Sequence, residues 1–136
     1  MGNRAVITFS TARSAPCIYL HWNSGRASVE GFLRAARHLN LNAPLEGNTG
    51  RFDTQAQTMD AIASLLAEKF FLRPVGNTVY RETYGSADTD NHDNGVYVID
   101  ADLTIVKRVH KRYEEELDDE KTNSIYAALI ASSETP

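Results

Sequence analysis

The chain has 136 residues, 42% of them hydrophobic and 24% charged, with a net charge of −4. That length suits one domain with its own core, and that composition excludes a disordered chain. The single cysteine, Cys17, excludes an internal disulfide, and no apolar run approaches the ~20 residues of a membrane span.

The first short run, residues 4–9, is β-branched and aromatic and reads as a strand. Residues 17–22 read as a second strand, paired with the first as a hairpin. Alternation places Ile18, Leu20 and Trp22 on the expected core face and Cys17, Tyr19 and His21 on the other. Asn23, Ser24 and Gly25 stop this strand. A helix follows, with Ser28 as expected N-cap, Glu30 in its first turn, and a stripe of Val29, Phe32, Leu33, Ala36 and Leu39.

Residues 40–50 read as a loop. Asp53 or Thr54 is placed to cap a second helix reaching about Phe70, with Met59, Ile62, Leu66 and Phe70 along one side; Pro74 ends it. A turn at Gly76 and Asn77 leads to an exposed strand over 79–84. Residues 85–95 form a polar loop, 96–99 a short buried strand, and 103–109 its antiparallel partner. The last helix is expected from about Asp118, carrying Ile125, Ala128 and Leu129, with a tail that frays from about 132. The order of elements does not make a parallel βαβ series. It predicts one α+β domain over 1–136, with a mostly antiparallel sheet of about five strands and two or three helices on one face.

Charge is uneven along the chain. Residues 1–80 carry eight Lys or Arg against five Asp or Glu, and residues 81–136 carry six against thirteen. Such asymmetry suits a charged partner or a homodimer, and equally a surface on which both halves mix their charges. The start, Met1-Gly2-Asn3-Arg4, lacks a signal-peptide run, and Val6 stands where a myristoylation motif needs Ser or Thr. The expected location is the cytoplasm. Without a basic stripe interleaved with aromatics, direct nucleic-acid binding is not expected.

Three segments carry candidate chemistry. His21, Trp22, Asn23 and Arg26 lie at a strand-to-helix junction, where backbone N–H groups and the Arg26 fork suit a phosphate or carboxylate. The glycine spacing of a phosphate loop is missing, and the simpler reading is a turn with Trp22 in the core. The second segment, 88–95, is dense in Asp and Asn. A calcium loop started at Asp90 has Gly95 sixth but Ala101, not Glu, twelfth; one started at Asp88 puts Asp93 where glycine is needed. An ordered turn is expected, with no metal site. Asp90 and Asn94 remain candidates for a pocket shared with the first segment. The third segment, Glu114, Glu115, Glu116, Asp118, Asp119 and Glu120, is the sharpest charge run and a candidate surface for a basic partner; such runs are more often a solvated face or a helix start.

No catalytic set is expected. His21, His38, His92 and His110 show no zinc spacing, and Cys17 and His21 lie about 13 Å apart along a strand, too far for a nucleophile–base pair. No cofactor is expected either.

Three blocks carry a resemblance: residues 2–7 (GNRAVI), residues 19–26 (YLHWNSGR) continuing through Phe32 and Leu33, and residues 90–97 (DNHDNGVY). They resemble a group of small bacterial and mobile-element proteins with no established activity. In that group the block beginning YLHWN ends in two glycines where this chain has Ser24 and Gly25. The resemblance covers about half the chain and leaves out 110–136. It implies a mobile-element context and no mechanism. The expected function is a non-enzymatic protein that docks through charge on a host protein or nucleoprotein, anti-defence inhibitors such as anti-CRISPR proteins being the class in view. The alternatives are a small-molecule or nucleotide pocket between the first two segments, an enzyme, and a structural or regulatory dimer.

Overall fold

The structure is a computed structural model and describes residues 3–41, 55–72, 78–112 and 117–134. Its strands are β1 (Ala5–Thr8), β2 (Pro16–Leu20), β3 (Val79–Thr83), β4 (Val96–Ile99) and β5 (Ile105–Val109). Its helices are α1 (Arg26–His38), α2 (Gln55–Leu65), which runs on as a π-helical turn (Leu66–Phe70), and α3 (Asp119–Glu134). The strands form one sheet in the order β3-β2-β1-β4-β5. All neighbours are antiparallel except β1 and β4, which are parallel. The molecule is thus the expected α+β arrangement of a mostly antiparallel five-stranded sheet with helices on one face.

Alternation sorts the sheet into two faces. Ala5, Ile7, Ile18, Leu20, Val79, Tyr97 and Ile99 face the helices and meet Val29, Phe32, Leu33, Met59, Ile62 and Leu66 in the main core. Val6, Cys17, Val96 and Val98 point the other way and form a smaller cluster. Among the described residues, no helix packs on that cluster. Tyr84 and Ala87 pack on it instead, from the segment that joins β3 to β4.

Several local expectations need correcting. β2 ends at Leu20, so alternation stops before Trp22, which is 44% exposed and not part of the core. α1 starts at Arg26 with Gly25 as N-cap, a turn earlier than a Ser28 cap implies. Ser28 is buried inside the helix, and its hydroxyl has no partner among the described residues. The early start follows from tertiary bonds on Ser24: its N–H donates to the Asn3 carbonyl at 3.1 Å, and its carbonyl accepts from the Tyr97 hydroxyl at 2.7 Å. In α3, Ile125 and Leu129 are buried and Ala128 is exposed. α3 runs to Glu134, with Leu129 buried and Ile130 half-buried near its end. Asp53, Thr54, Pro74, Gly76 and Asn77 lie outside the described residues.

Two features could not be read from periodicity. A Phe71 N–H to Leu66 carbonyl bond of 2.8 Å inserts one extra residue into the end of α2. The shift brings Phe70 and Phe71 edge-on to Phe32, with ring centroids 4.9 and 6.0 Å away. In the β4–β5 turn, Leu103 has φ 61°. A left-handed leucine costs ~1 kcal/mol or more, but its side chain is fully buried, and burial returns roughly 2 kcal/mol.

α1 and α3 cross at Gly31. A Cβ there would lie 2.8 Å from Ile125 Cγ2 and 3.0 Å from the Thr122 carbonyl oxygen. Thr122 also donates its hydroxyl to the Ala27 carbonyl at 2.8 Å. Overpacking should outweigh the ~1 kcal/mol that alanine gains in helix propensity, so Gly31→Ala is expected to lose about 1–2 kcal/mol. Urea unfolding monitored by circular dichroism would measure it; unchanged stability would mean that the helices do not meet this closely.

Candidate functional site

The first two candidate segments are built around β1 and its flanks. β3 and β4 lie on opposite sides of the β1–β2 pair, so residues 84–95 must cross the sheet. Asn91, 1% exposed, ties this crossing together. Its amide donates to the carbonyls of Asp88 at 3.0 Å and Gly95 at 3.2 Å, and its side-chain oxygen accepts from the N–H groups of Asp93 at 3.2 Å and Gly95 at 3.0 Å. Gly95 has φ 65°, and a Cβ would sit 2.2 Å from the Val109 carbonyl oxygen, so only glycine fits. The Asp/Asn-rich motif is an ordered turn centred on Asn91, and among the described residues no group of three or more His, Cys, Asp or Glu could hold a metal.

Asp93 fastens the turn to β1. It accepts from the Arg4 N–H at 3.1 Å and the Arg4 Nε at 2.8 Å. Burial pushes its carboxyl up, but the hydrogen bonds and charge of Arg4 outweigh burial and hold it below the usual carboxylate range. Asn94 donates to the Asn3 side chain and to the Arg4 carbonyl. Asn3 in turn donates its N–H to the His21 carbonyl at 3.2 Å and accepts from Ser24. Asn3 is therefore the link between the two candidate loops.

A second link is buried beneath it. The Tyr97 hydroxyl donates to Ser24, while the Arg108 guanidinium lies 3.7 Å over the Tyr97 ring. Arg108 also donates to the carbonyls of Val96 and Asn94. Burial pushes the Tyr97 hydroxyl up to about 12, with Arg108 opposing the rise, so it stays a neutral donor. Asn3, Tyr97 and Arg108 were not among the residues singled out from sequence. The one available signal was that the first and third blocks of the resemblance contain Asn3 and Tyr97.

None of the main cavities among the described residues gathers the six candidate ligand-binding residues. His21 Nδ1 is 3.0 Å from the Tyr19 hydroxyl, and Trp22 stands edge-on to His21 with 4.7 Å between centroids. Asn23 lines a cavity with Ser28, Phe70 and the first turn of α3. Arg26 lines another, between α1 and α3, and pairs with Glu30 at 2.7 Å. Neither cavity contains Asp90 or Asn94. Asp90 turns to Arg112, 2.8 Å away.

Of the acidic run, Glu114, Glu115 and Glu116 lie outside the described residues. Asp118 caps α3, accepting the Lys121 N–H at 3.0 Å on its side chain and the Thr122 N–H at 2.9 Å on its carbonyl. Asp119 and Glu120 follow, exposed, in the first turn, where negative charge suits the helix dipole. Asp118 and Asp119 share the α1–α3 cavity, about 490 Å³, with Arg26, Arg34 and Arg37. Cys17 is buried, and burial together with Glu82 pushes its thiol up to about 12, far from a reactive thiolate. The chain matches no protein-family model, no curated protein and no solved structure. No described helix is long and apolar enough to cross a membrane.

Two expectations follow. Tyr97→Phe keeps the ring under Arg108 but strands the buried Ser24 carbonyl, so it should cost about 1–2 kcal/mol by chemical unfolding; a neutral substitution would mean that this bond does not join the segments. For Asp93, the depressed carboxyl contributes stability above its ordinary value of 3.8 and loses it as pH falls through the lower folded value. Asp93→Asn should therefore lower the melting temperature at pH 7, with the gap from the parent closing by about pH 2. A gap independent of pH would remove the Arg4–Asp93 ion pair as its cause.

Proposed function

We propose that the chain is a non-enzymatic binding protein that docks, through acidic surface near the start of α3, on a basic face of a host protein or nucleoprotein in the cytoplasm. The observation that carries this reading is the exposed first turn of α3, where Asp119 and Glu120 continue the charge run after the capping Asp118. Charge complementarity of this kind steers encounter and makes binding salt-sensitive. The adjacent Arg26, Arg34 and Arg37 bound the acidic surface on the α1 side, which favours a partner whose own charges are patterned rather than a uniformly basic polymer. The resemblance of the three sequence blocks to mobile-element proteins supplies the biological class. Anti-defence inhibitors that act by docking on a host protein or nucleoprotein, anti-CRISPR proteins among them, are the class in view.

A small-molecule or nucleotide pocket between the two loops is the weaker reading: Asn3 joins the loops, but Arg26 is held by Glu30 and Asp90 by Arg112. Affinity capture with the tagged protein from host lysate, at low and moderate salt, tests the preferred one. One basic protein or nucleoprotein is expected at low salt and should be lost as salt rises. Reversal of Glu114, Glu115, Glu116, Asp119 and Glu120 to Lys should reduce capture at least tenfold, with Asp118 kept so that α3 retains its cap. Capture unaffected by the reversal would overturn the reading.

A further inference from the structure

The sheet face turned away from the helices carries a pocket unrelated to the α3 surface. In the β2–β3 ladder, Tyr19 stands opposite Tyr80 and Cys17 opposite Glu82. Their neighbours Ile18, Leu20 and Val79 face the helices, so these four point to the other side. The Tyr19 and Tyr80 rings lie 5.6 Å apart, tilted by 53°. The crossing segment adds Ser86 and Asp88. Together Tyr19, Tyr80, Glu82, Ser86 and Asp88 line an open cavity of about 270 Å³.

The chemistry of this lining selects a cation. Ring faces carry the negative lobes of the aromatic quadrupole and attract ammonium or guanidinium groups. Two carboxylates stand beside them. Among the described residues, Glu82 has no ion-pair partner. Its carboxyl is pushed up by burial and by the negative charge of Asp88, a repulsion that an incoming cation would relieve. Among the described residues, Arg4 pairs loosely with Asp88, its Nη1 4.0 Å away, while its Nε is committed to Asp93 at 2.8 Å. Tyr19 is held in place by its hydroxyl contact with His21.

Size narrows the source. The cavity falls below the roughly 300–1,000 Å³ of sites for drug-sized ligands and cofactors. It has room for one charged group on an aliphatic arm. We propose that this pocket receives a lysine or arginine side chain of a protein partner, its alkyl arm against the rings of Tyr19 and Tyr80 and its cationic head between Glu82 and Asp88. The proposal rests on the reading that the chain docks on a basic protein, and adds a specific anchor to it.

The test is an NMR titration of the whole ¹⁵N-labelled chain with Nα-acetyl-arginine methylamide, Nα-acetyl-lysine methylamide and, as the neutral control, Nα-acetyl-norleucine methylamide. Saturable shifts centred on 17–19 and 79–88 are expected for the two cations, with at least tenfold weaker binding of the control. Glu82→Gln, which keeps the shape, should weaken cation binding at least fivefold without lowering the melting temperature; Tyr80→Leu should also weaken it, through loss of the ring. Equal response to the neutral control, or unchanged binding in Glu82→Gln, would overturn the proposal. Spermidine binding tighter than the arginine probe would also overturn it, by assigning the pocket to a free polyamine. Lysate capture separates this failure from failure of the docking reading. A partner lost on reversal of the α3 acids but retained by Glu82→Gln would leave the docking reading standing and remove the pocket.

Discussion

Parallel pairing of β1 with β4 constrains everything around it. Because β3 has already taken the far edge beside β2, the chain must pass across two strands before it can enter β4. It does so on the face without helices, where its own Tyr84 and Ala87 shield Val6, Cys17 and Val96 from water. A crossing of this kind has no ladder to hold its backbone, so the polar groups must be satisfied locally. Asn91 does this with four hydrogen bonds to the segment's own backbone, and Gly95 turns the chain into β4 at a position that no side chain can occupy.

The consequences spread from that crossing. Asp93 meets Arg4, Asn94 meets Asn3, and Asn3 meets the turn before α1. On the helix side, Tyr97 of β4 reaches the same turn from below and sets where α1 begins. α1 then offers Gly31 to α3 at close range, which brings the acidic start of α3 beside the arginines of α1. On the open side, the crossing carries Asp88 to Glu82 and the paired tyrosines. The acidic first turn and the aromatic pocket are therefore products of one topological arrangement, although the sheet lies between the pocket and the main core.

Under the proposed docking function, the two surfaces would suit different tasks. Exposed carboxylates such as Asp119 and Glu120 act at long range and are screened by salt. A half-enclosed carboxylate beside aromatic rings acts at contact, where desolvation makes a cation–ring interaction worth more than on open surface. A docking protein that uses both would gain encounter rate from the first and selectivity from the second.

Most of the element order was legible in the sequence, because burial on one face imposes period two on strands and a 3.6-residue stripe on α1 and α2. The antiparallel hairpins, the buried β4 and the turn character of the Asp/Asn-rich loop follow from such local rules. Element ends were less legible: Trp22 fell off β2, and α1 began before Ser28, because bonds from Asn3 and Tyr97 decide those boundaries. The site was the least legible part. Asp90 and Asn94 stood out by composition, yet the residue that organises their loop is Asn91, and nothing local distinguishes one asparagine from the next. Tyr19, Tyr80 and Glu82 looked like ordinary alternating strand residues until β2 paired with β3 and a distant loop brought Asp88 against them. Periodicity reports which side of an element is buried. Which elements become neighbours is set by strand order and by one crossing, and only the tertiary structure holds that information.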